Sequence, residues 1–194
     1  QGPLKETGNP FDVALEGEGF FVVDTPYGER YTRNGTFVLG KEGMVLTKDG
    51  MPLMGQNGPI QIKKNNFIID QEGNVYQNSR FADDPDRLVS LQENEWEDVE
   101  FVDKLRIVDF QRTRYLKKEG NSRWRNTSES GEPVQIPESE PTKVRQGFLE
   151  TSNVNPVKAM VEMIEVNRAY EANQKVVQSQ DAMSDRLINS ALRV

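Results

Sequence analysis

Short alternating stretches of apolar and polar residues fill the first half of the chain. Four such stretches are FFVVD (20–24), RYTRNGTFVLG (30–40), MVLTKDGMPLMG (44–55) and IQIKKNNFIID (60–70). Alternation with a period of two is typical of strands that bury one face. Dipeptides that accept the positive φ of tight hairpin turns lie within or between them: Asn34-Gly35, Asp49-Gly50 and Asn57-Gly58. The pattern predicts an all-β unit built from hairpins.

Strand-like sequence continues on both sides of a central acidic stretch. GNVYQ (73–77) precedes that stretch, and KLRIVDF (104–110), YLKKEG (115–120) and RWRN (123–126) follow it. The segment from Ser128 to Lys143 is rich in Pro, Ser and Glu, which predicts an extended connector or loop.

From Pro156 onwards the pattern becomes helical, with no glycine and no further proline. Asn155 is a good N-cap residue, and proline is favoured at the first helical position. Apolar residues recur in steps of four and three: Ala159, Met163, Val166, Tyr170, Val177, Leu187, Ala191 and Val194. Polar residues take some steps of this line, notably Asn173, Gln180 and Ser184. Such a helix is roughly 55 Å long, more than a small β-domain covers, so part of its apolar stripe must contact another helix.

The sequence therefore predicts a mainly β protein with a long C-terminal α-helix. We expect an elongated domain rich in β-hairpins, followed by an amphipathic helix that can form a coiled coil. The expected boundaries are a junction segment at 1–19, a β-rich domain at 20–148 and a C-terminal helical segment at 149–194. An acidic insertion is expected within the β-rich domain at about 80–103.

Composition excludes several classes of function. The net charge is −7 and the basic residues are scattered along the chain, which argues against nucleic acid as a partner. No apolar run approaches the roughly 20 residues that span a bilayer, so no membrane insertion is expected. Cysteine and histidine are both absent, which removes thiolate chemistry, the usual general base and the common zinc ligands. We predict no enzyme, no cofactor and no metal site.

The acidic stretch admits two interpretations. Eight Asp and Glu residues lie between Asp83 and Glu100. The stretch is either a solvated surface excursion on the outer face or a site for a cation or a partner. The spacing of a calcium-binding loop is absent, and Pro85 interrupts the DDPD run.

Several stretches together resemble the bacterial flagellar rod and hook family, and are most similar to its basal-body rod proteins. They are GNPFDVALEGEGFFVV (8–23), RYTRNGTF (30–37), LTKDGMPLMG (46–55) with IQI (60–62), LRIVDF (105–110) and SNVNPVKAMVEMIEVNRAYEANQKVVQSQDAM (152–183). The resemblance implies a structural subunit of the flagellar rod, the drive shaft that transmits torque to the hook. Its implied partners are further copies of itself and other rod and hook axial proteins, in a basal body to which it is exported without a cleavable signal peptide.

In that family the terminal helices pair as a coiled coil in an inner tube, and the β-domain lies outside. The resemblance thus implies a polymerisation interface on the C-terminal helix, for which we expect Val157, Met160, Met163, Ile164, Val166, Tyr170, Val176, Val177, Met183 and Leu187. Compared with the family, the chain opens where an N-terminal helical segment would already have ended, so we expect that segment to be missing. The acidic stretch is likewise expected to be an insertion. The proximal and distal positions in the rod stay open.

The junction at the start of the β-domain is expected at Gly17, Gly19, Phe20 and Phe21. The glycines would permit a tight turn and a close backbone approach. Adjacent strand residues point to opposite sides, so one phenylalanine should lie in the core and the other should face a neighbouring layer.

Two alternative functions come from other classes. The first is a β-rich module that binds cell-wall glycan, with Trp96, Trp124 and Tyr115 as stacking platforms. The second is a hydrolase with two carboxylates facing one cleft, a pair that the sequence cannot select among its many Asp and Glu residues.

Overall fold

The computed structural model describes residues 1–62, 67–78, 99–120, 122–136 and 142–191. These residues divide into two compact units, one formed by Gln1–Thr151 and the other by Ser152–Val194. The first unit holds all of the described strands, and the second holds one helix. The predicted fold class, mainly β with a long C-terminal helix, is confirmed.

The described residues of the first unit form fifteen short strands. They are β1 (Leu4–Glu6), β2 (Val13–Glu16), β3 (Phe20–Val23), β4 (Arg30–Thr32), β5 (Phe37–Leu39), β6 (Val45–Thr47), β7 (Phe67–Ile69), β8 (Asn74–Asn78), β9 (Val99–Lys104), β10 (Ile107–Asp109), β11 (Lys117–Glu119), β12 (Arg123–Arg125), β13 (Val134–Gln135), β14 (Lys143–Gln146) and β15 (Phe148–Glu150). A 3₁₀ turn, Thr113–Tyr115, precedes β11. The helix α1 spans Pro156–Ala191.

All pairs among these described strands are antiparallel, and they form five small sheets. The largest has six strands in the order β11-β12-β4-β3-β10-β13, and a three-stranded sheet has the order β7-β8-β9. The remaining sheets are the pairs β1-β15, β14-β2 and β5-β6. The pairs β1-β15 and β14-β2 join the beginning of the unit to its end, so both ends of this stretch of chain are held in the same region of the fold.

Two apolar clusters form the core, and β3 contributes to both. Phe21 belongs to the larger cluster, where its ring packs edge-on against Phe37 at 5.4 Å between centroids. Val22 belongs to the smaller cluster with Tyr31 and Phe110. Successive side chains of a strand point to opposite faces, so the run FFVV can supply two cores from four residues.

The three predicted turn dipeptides do not all behave alike. Gly50 has a φ of +80° and its N–H donates to the Thr47 carbonyl oxygen at 2.9 Å, which closes the predicted hairpin turn. Gly58 also has a positive φ, and its carbonyl oxygen accepts a hydrogen bond from the Gly55 N–H at 2.7 Å. These two dipeptides are therefore tight turns, as predicted.

The prediction of a hairpin turn at Asn34-Gly35 is wrong. The strands on its two sides belong to different sheets, since β4 pairs with β3 and β12 whereas β5 pairs with β6. The dipeptide instead carries the chain from one sheet to the next. Glycine is needed there because the backbone of Val13 passes against it, and a Cβ at position 35 would lie 1.5 Å from the Val13 carbonyl oxygen.

Two further expectations meet the structure only in part. The connector predicted between Ser128 and Lys143 contains the short strand β13, which pairs with β10 at the edge of the six-stranded sheet. Most of the acidic stretch, 79–98, lies outside the described residues. Its last residues form β9, in which Asp103 is buried and accepts hydrogen bonds from the Asn57 side chain and backbone at 2.8 and 3.0 Å.

Candidate assembly surface

The long helix begins where the sequence predicts. The Asn155 side-chain oxygen accepts hydrogen bonds from the backbone N–H groups of Val157 at 3.0 Å and Lys158 at 3.3 Å. These bonds satisfy two of the donors that a helix start leaves unpaired, and Pro156 has no N–H to satisfy. The helix then runs for 36 residues, about 54 Å at 1.5 Å per residue.

Large apolar side chains line this helix and are exposed. Nine of the ten residues expected at an interface are 52% to 68% exposed: Val157, Met160, Met163, Ile164, Val166, Tyr170, Val176, Val177 and Met183. Leu187 lies in the same helix, but its side chain is outside the described part of the structure. Exposed apolar side chains in such number on one element are typical of a surface that binds something.

The sequence prediction omitted two exposed apolar residues of the same helix. Val161 is 50% exposed and Ile188 is 57% exposed. Val161 lies one turn after Val157, so the i, i+4 spacing could have identified it. Ile188 follows Leu187 directly, and a strict heptad line passes over it.

Along the helix, one apolar line has the spacing of a coiled coil. Steps of four and three from Ala159 through Met163, Val166, Tyr170 and Val177 average 3.5 residues per turn. Side chains with that period stay on one side of a helix that supercoils around a partner. The geometry therefore suits the packing of α1 against other helices along much of its length.

At the predicted junction, Gly17 and Gly19 have φ values of +124° and +117°. Neighbouring side chains approach both closely, since a Cβ at position 19 would lie 2.6 Å from Ile136 Cδ1 and one at position 17 would lie 3.2 Å from Thr142 Oγ1. A side chain at either position would meet both strained backbone and a filled space. The two glycines hence allow the chain to pass from β2 to β3.

The two phenylalanines after these glycines lie on opposite sides of β3. Phe21 is fully buried in the larger core cluster. Phe20 is half-buried, packs edge-on against Phe110 at 6.0 Å and lies under the Arg33 guanidinium at 5.9 Å. Whether its outer side faces a neighbouring layer in an assembly stays a prediction.

Arg33 connects the junction turn to the end of the β unit. Its guanidinium donates hydrogen bonds to the carbonyl oxygens of Gly19 at 2.6 Å and Gly17 at 2.8 Å. It also pairs with the Glu150 carboxylate at 3.3 Å, and both side chains of that pair are about four-fifths buried. The other carboxylate oxygen of Glu150 accepts a hydrogen bond from the Gly2 N–H at 2.9 Å. One cation thus holds the turn and the terminal β1-β15 ladder together.

The two described aromatic residues of the glycan interpretation, Trp124 and Tyr115, each have contacts within the β unit. Trp124 is half-buried and packs against the smaller core cluster, which is the structural role of a strand tryptophan. Tyr115 accepts a hydrogen bond from Arg114 at 3.1 Å and lies beside its guanidinium. Trp96 lies outside the described residues.

Two features are absent from the described residues: a cluster of metal-ligating side chains and a helix that could span a membrane. No group of three or more acidic, cysteine or histidine residues there is arranged to hold a metal ion. None of the helices described is long and apolar enough to cross a membrane.

Comparison with known proteins places both units in one family. Residues 14–77 match the family described as flagellar hook protein FlgE/F/G D1 domain, and residues 145–190 match the flagellar basal body rod FlgEFG protein C-terminal family. The first match contains the junction turn, strands β3 to β7 and most of β2 and β8, and the second contains nearly all of α1. The central acidic stretch lies outside both matched ranges.

Curated relatives match nearly the whole chain. It is 33% identical to the flagellar basal-body rod protein FlgG of Buchnera aphidicola subsp. Acyrthosiphon pisum over 96% of this chain and 67% of the relative. It is 30% identical to the rod protein FlgF of Mesorhizobium japonicum over 97% of this chain and 70% of the relative. FlgG of Bacillus subtilis is 29% identical over 95% of this chain and 67% of its own length. The chain belongs to the flagellar basal-body rod protein family, and spans about two thirds of the length of these relatives.

Proposed function

We propose that this chain is a structural subunit of the flagellar rod that polymerises helically through the exposed apolar side chains of α1, which we call its apolar face. In this role it transmits torque along the rod towards the hook and performs no catalysis. Its partners are further copies of itself and other axial proteins of the rod and hook. Membership of the rod protein family supports the structural role.

The observation that carries the proposal is the exposure of eleven large apolar side chains among the described residues of one long helix. An isolated amphipathic helix is only marginally stable in water, because nucleation is unfavourable and most helical stability in proteins comes from packing. Burial of these side chains against helices of neighbouring subunits removes apolar surface from water. At roughly 25 cal/mol per Å² this burial is the largest favourable contribution available to assembly.

A rod also requires contacts between subunits that do not generate a closed oligomer. When the surfaces that meet on two subunits differ, repetition of the contact generates a helical tube rather than a dimer. A helix with apolar residues spread over much of its circumference can contact more than one neighbour. Val157 and Met160 lie on a different side of α1 from Val166 and Val177, given 100° of rotation per residue.

The experiment compares two variants in the complete protein, expressed in flagellated cells. Val166→Asp with Tyr170→Asp adds two negative charges to the heptad line, which should abolish rod assembly while the β unit stays folded. The matched control, Val166→Ile with Tyr170→Phe, keeps both positions apolar and should leave rods intact. Normal rods from the first variant would overturn the proposal.

A further inference from the structure

The hairpin formed by β11 and β12, with the 3₁₀ turn before it, carries an unusual concentration of positive charge. Residues 111–125 contain six Lys and Arg residues and a single acidic residue, in a chain of net charge −7. The basic residues are thus scattered elsewhere but concentrated here. Five of them form what we call the basic patch: Arg112, Arg114, Lys117, Lys118 and Arg125.

Every residue of the basic patch is exposed, and no ion pair to it occurs among the described residues. The neighbouring cations differ in this respect. Arg30 pairs with Glu119 at 2.9 Å, and Arg123 pairs with Asp49 at 3.7 Å. The two neighbouring cations are therefore paired, whereas those of the basic patch make no ion pair within the described part of the chain.

The register of the hairpin adds a second, independent observation. Lys117 lies directly opposite Arg125 in the antiparallel pair. Like charges in directly opposed positions destabilise a sheet. Such a pair is expected where negative charge from a binding partner offsets the repulsion between the two cations.

Protection of the sheet edge explains only part of the pattern. Strand β11 is an edge strand of the six-stranded sheet, and lysines on an edge discourage unwanted strand pairing. Arg112 and Arg114 lie before the strand, however, and Arg125 lies on β12, which is paired on both sides. Edge protection does not require these three arginines.

We infer that the basic patch is a docking surface for carboxylates of a second copy of this chain, forming an electrostatic contact between β units in addition to the helix contact. Charge complementarity selects this occupant, because the rest of the chain is strongly acidic and its densest acidic run is the eight Asp and Glu residues between Asp83 and Glu100. A chain of net charge −7 repels a polyanion such as nucleic acid at long range. A second copy of the chain, by contrast, has many carboxylates that can bind the basic patch. The inference rests on the proposed function, since a polymer brings different surfaces of two copies into repeated contact.

Zero-length cross-linking tests this contact. Equal amounts of ¹⁴N- and ¹⁵N-labelled chain are mixed at low ionic strength and treated with a carbodiimide, which joins lysine amines to adjacent carboxylates. Mass spectrometry should find peptides of mixed isotope composition that link Lys117 or Lys118 to an Asp or Glu residue. Their yield should fall at least about fivefold near 1 M salt, where the screening length shrinks to about 3 Å.

Variants of the patch lysines and a competing oligonucleotide test whether the cross-links depend on the basic patch. In Lys117→Gln the yield of links from Lys118 should fall, and in Lys118→Gln the yield of links from Lys117 should fall. The control Lys41→Gln changes an exposed loop lysine and should leave both yields unchanged. An absence of mixed-isotope links, or a yield that does not change with salt, would overturn the inference. The inference would also fail if mixed-isotope links were absent and a single-stranded oligonucleotide bound the wild-type chain but not the patch variants. If rods still require the apolar face of α1, each of these outcomes leaves the proposed function standing.

Discussion

The backbones of Val13 and Gly35 lie in direct contact. The Val13 N–H donates a hydrogen bond to the Gly35 carbonyl oxygen at 2.9 Å. A Cβ at position 35 would lie 1.5 Å from the Val13 carbonyl oxygen and 2.6 Å from its carbon. Val13 is buried in the larger core cluster and belongs to β2, which pairs with β14, so it cannot move aside without disturbing both.

Gly35→Ala should therefore be strongly destabilising. The added methyl group must displace backbone rather than a flexible side chain, so we expect a loss of about 2–4 kcal/mol in the free energy of unfolding. Urea denaturation followed by tryptophan fluorescence measures it. Gly50→Ala is the matched control, because Gly50 has a φ of +80° but a Cβ at that position would have no neighbouring atom within 4 Å. It should lose only about 1 kcal/mol, from backbone strain alone, and equal losses in the two variants would refute the account of Gly35.

Arg33→Gln should loosen the ends of the β unit. The substitution removes a charge-assisted pair with Glu150 and the hydrogen bonds to Gly17 and Gly19, and leaves a largely buried carboxylate without its cation. We expect a loss of about 1.5–3 kcal/mol. Hydrogen exchange should accelerate first at the amides of the β1-β15 ladder.

Arg145→Gln provides the comparison for Arg33. Arg145 pairs with Glu16 at 2.8 Å, but both side chains are more than two-fifths exposed. Exposed pairs contribute about 0–1 kcal/mol. If Arg145→Gln proves as destabilising as Arg33→Gln, the contacts of Arg33 with the junction turn and the β1-β15 ladder do not stabilise the fold more than an exposed ion pair does.

Alkaline pH should destabilise the fold through Tyr31. Burial in the smaller core cluster, assisted by the negative charge of Glu29, raises the pKa of Tyr31 above its ordinary value of 10.0. The folded chain therefore holds the phenolic proton more tightly than the unfolded chain does. The resulting stability is fully present below pH 10 and is lost as the pH rises through the pKa of the folded state. In melting curves taken above pH 10, Tyr31→Phe should reduce the fall in Tm, whereas Tyr27→Phe, at a side chain 83% exposed, should not.

The β unit should fold without the helix. Residues Gln1–Thr151 form one compact unit that contains both core clusters. A fragment that ends at Thr151 should give a far-ultraviolet circular dichroism spectrum dominated by β structure, with cooperative thermal unfolding. A helix-rich spectrum, or one typical of an unfolded chain, would contradict this expectation.

The sequence predicted those parts of the structure that depend on local pattern. Asn155 and Pro156 located the helix start, and the alternating runs located most strands, because capping and side-chain periodicity act over a few residues. The role of Gly35 could not be predicted, since an Asn-Gly dipeptide is equally suited to a hairpin turn and to a close backbone approach. Likewise, nothing near Arg33 in sequence indicates that Glu150 will lie beside it, because their separation of 117 residues is closed only by the tertiary fold.

The candidate site shows the same division. The heptad spacing indicated the apolar residues of α1, yet the occupant that we propose for them belongs to other subunits and cannot be read from this chain's own pattern. The basic patch was missed for a different reason. Arg112 and Arg125 are 13 positions apart in a chain whose overall charge is negative, and their common surface depends on the pairing of β11 with β12.

Burial of the α1 face in the assembled rod is the central claim, and thiol accessibility at Val166 tests it most directly. The chain contains no cysteine, so Val166→Cys introduces a single reactive group. The thiol should react readily with a maleimide in the isolated chain, where Val166 is 68% exposed. In purified basal bodies it should react at least about tenfold more slowly, and the fast rate should return when the rods are dissociated. Equal rates in assembled rods and in the isolated chain would contradict the account.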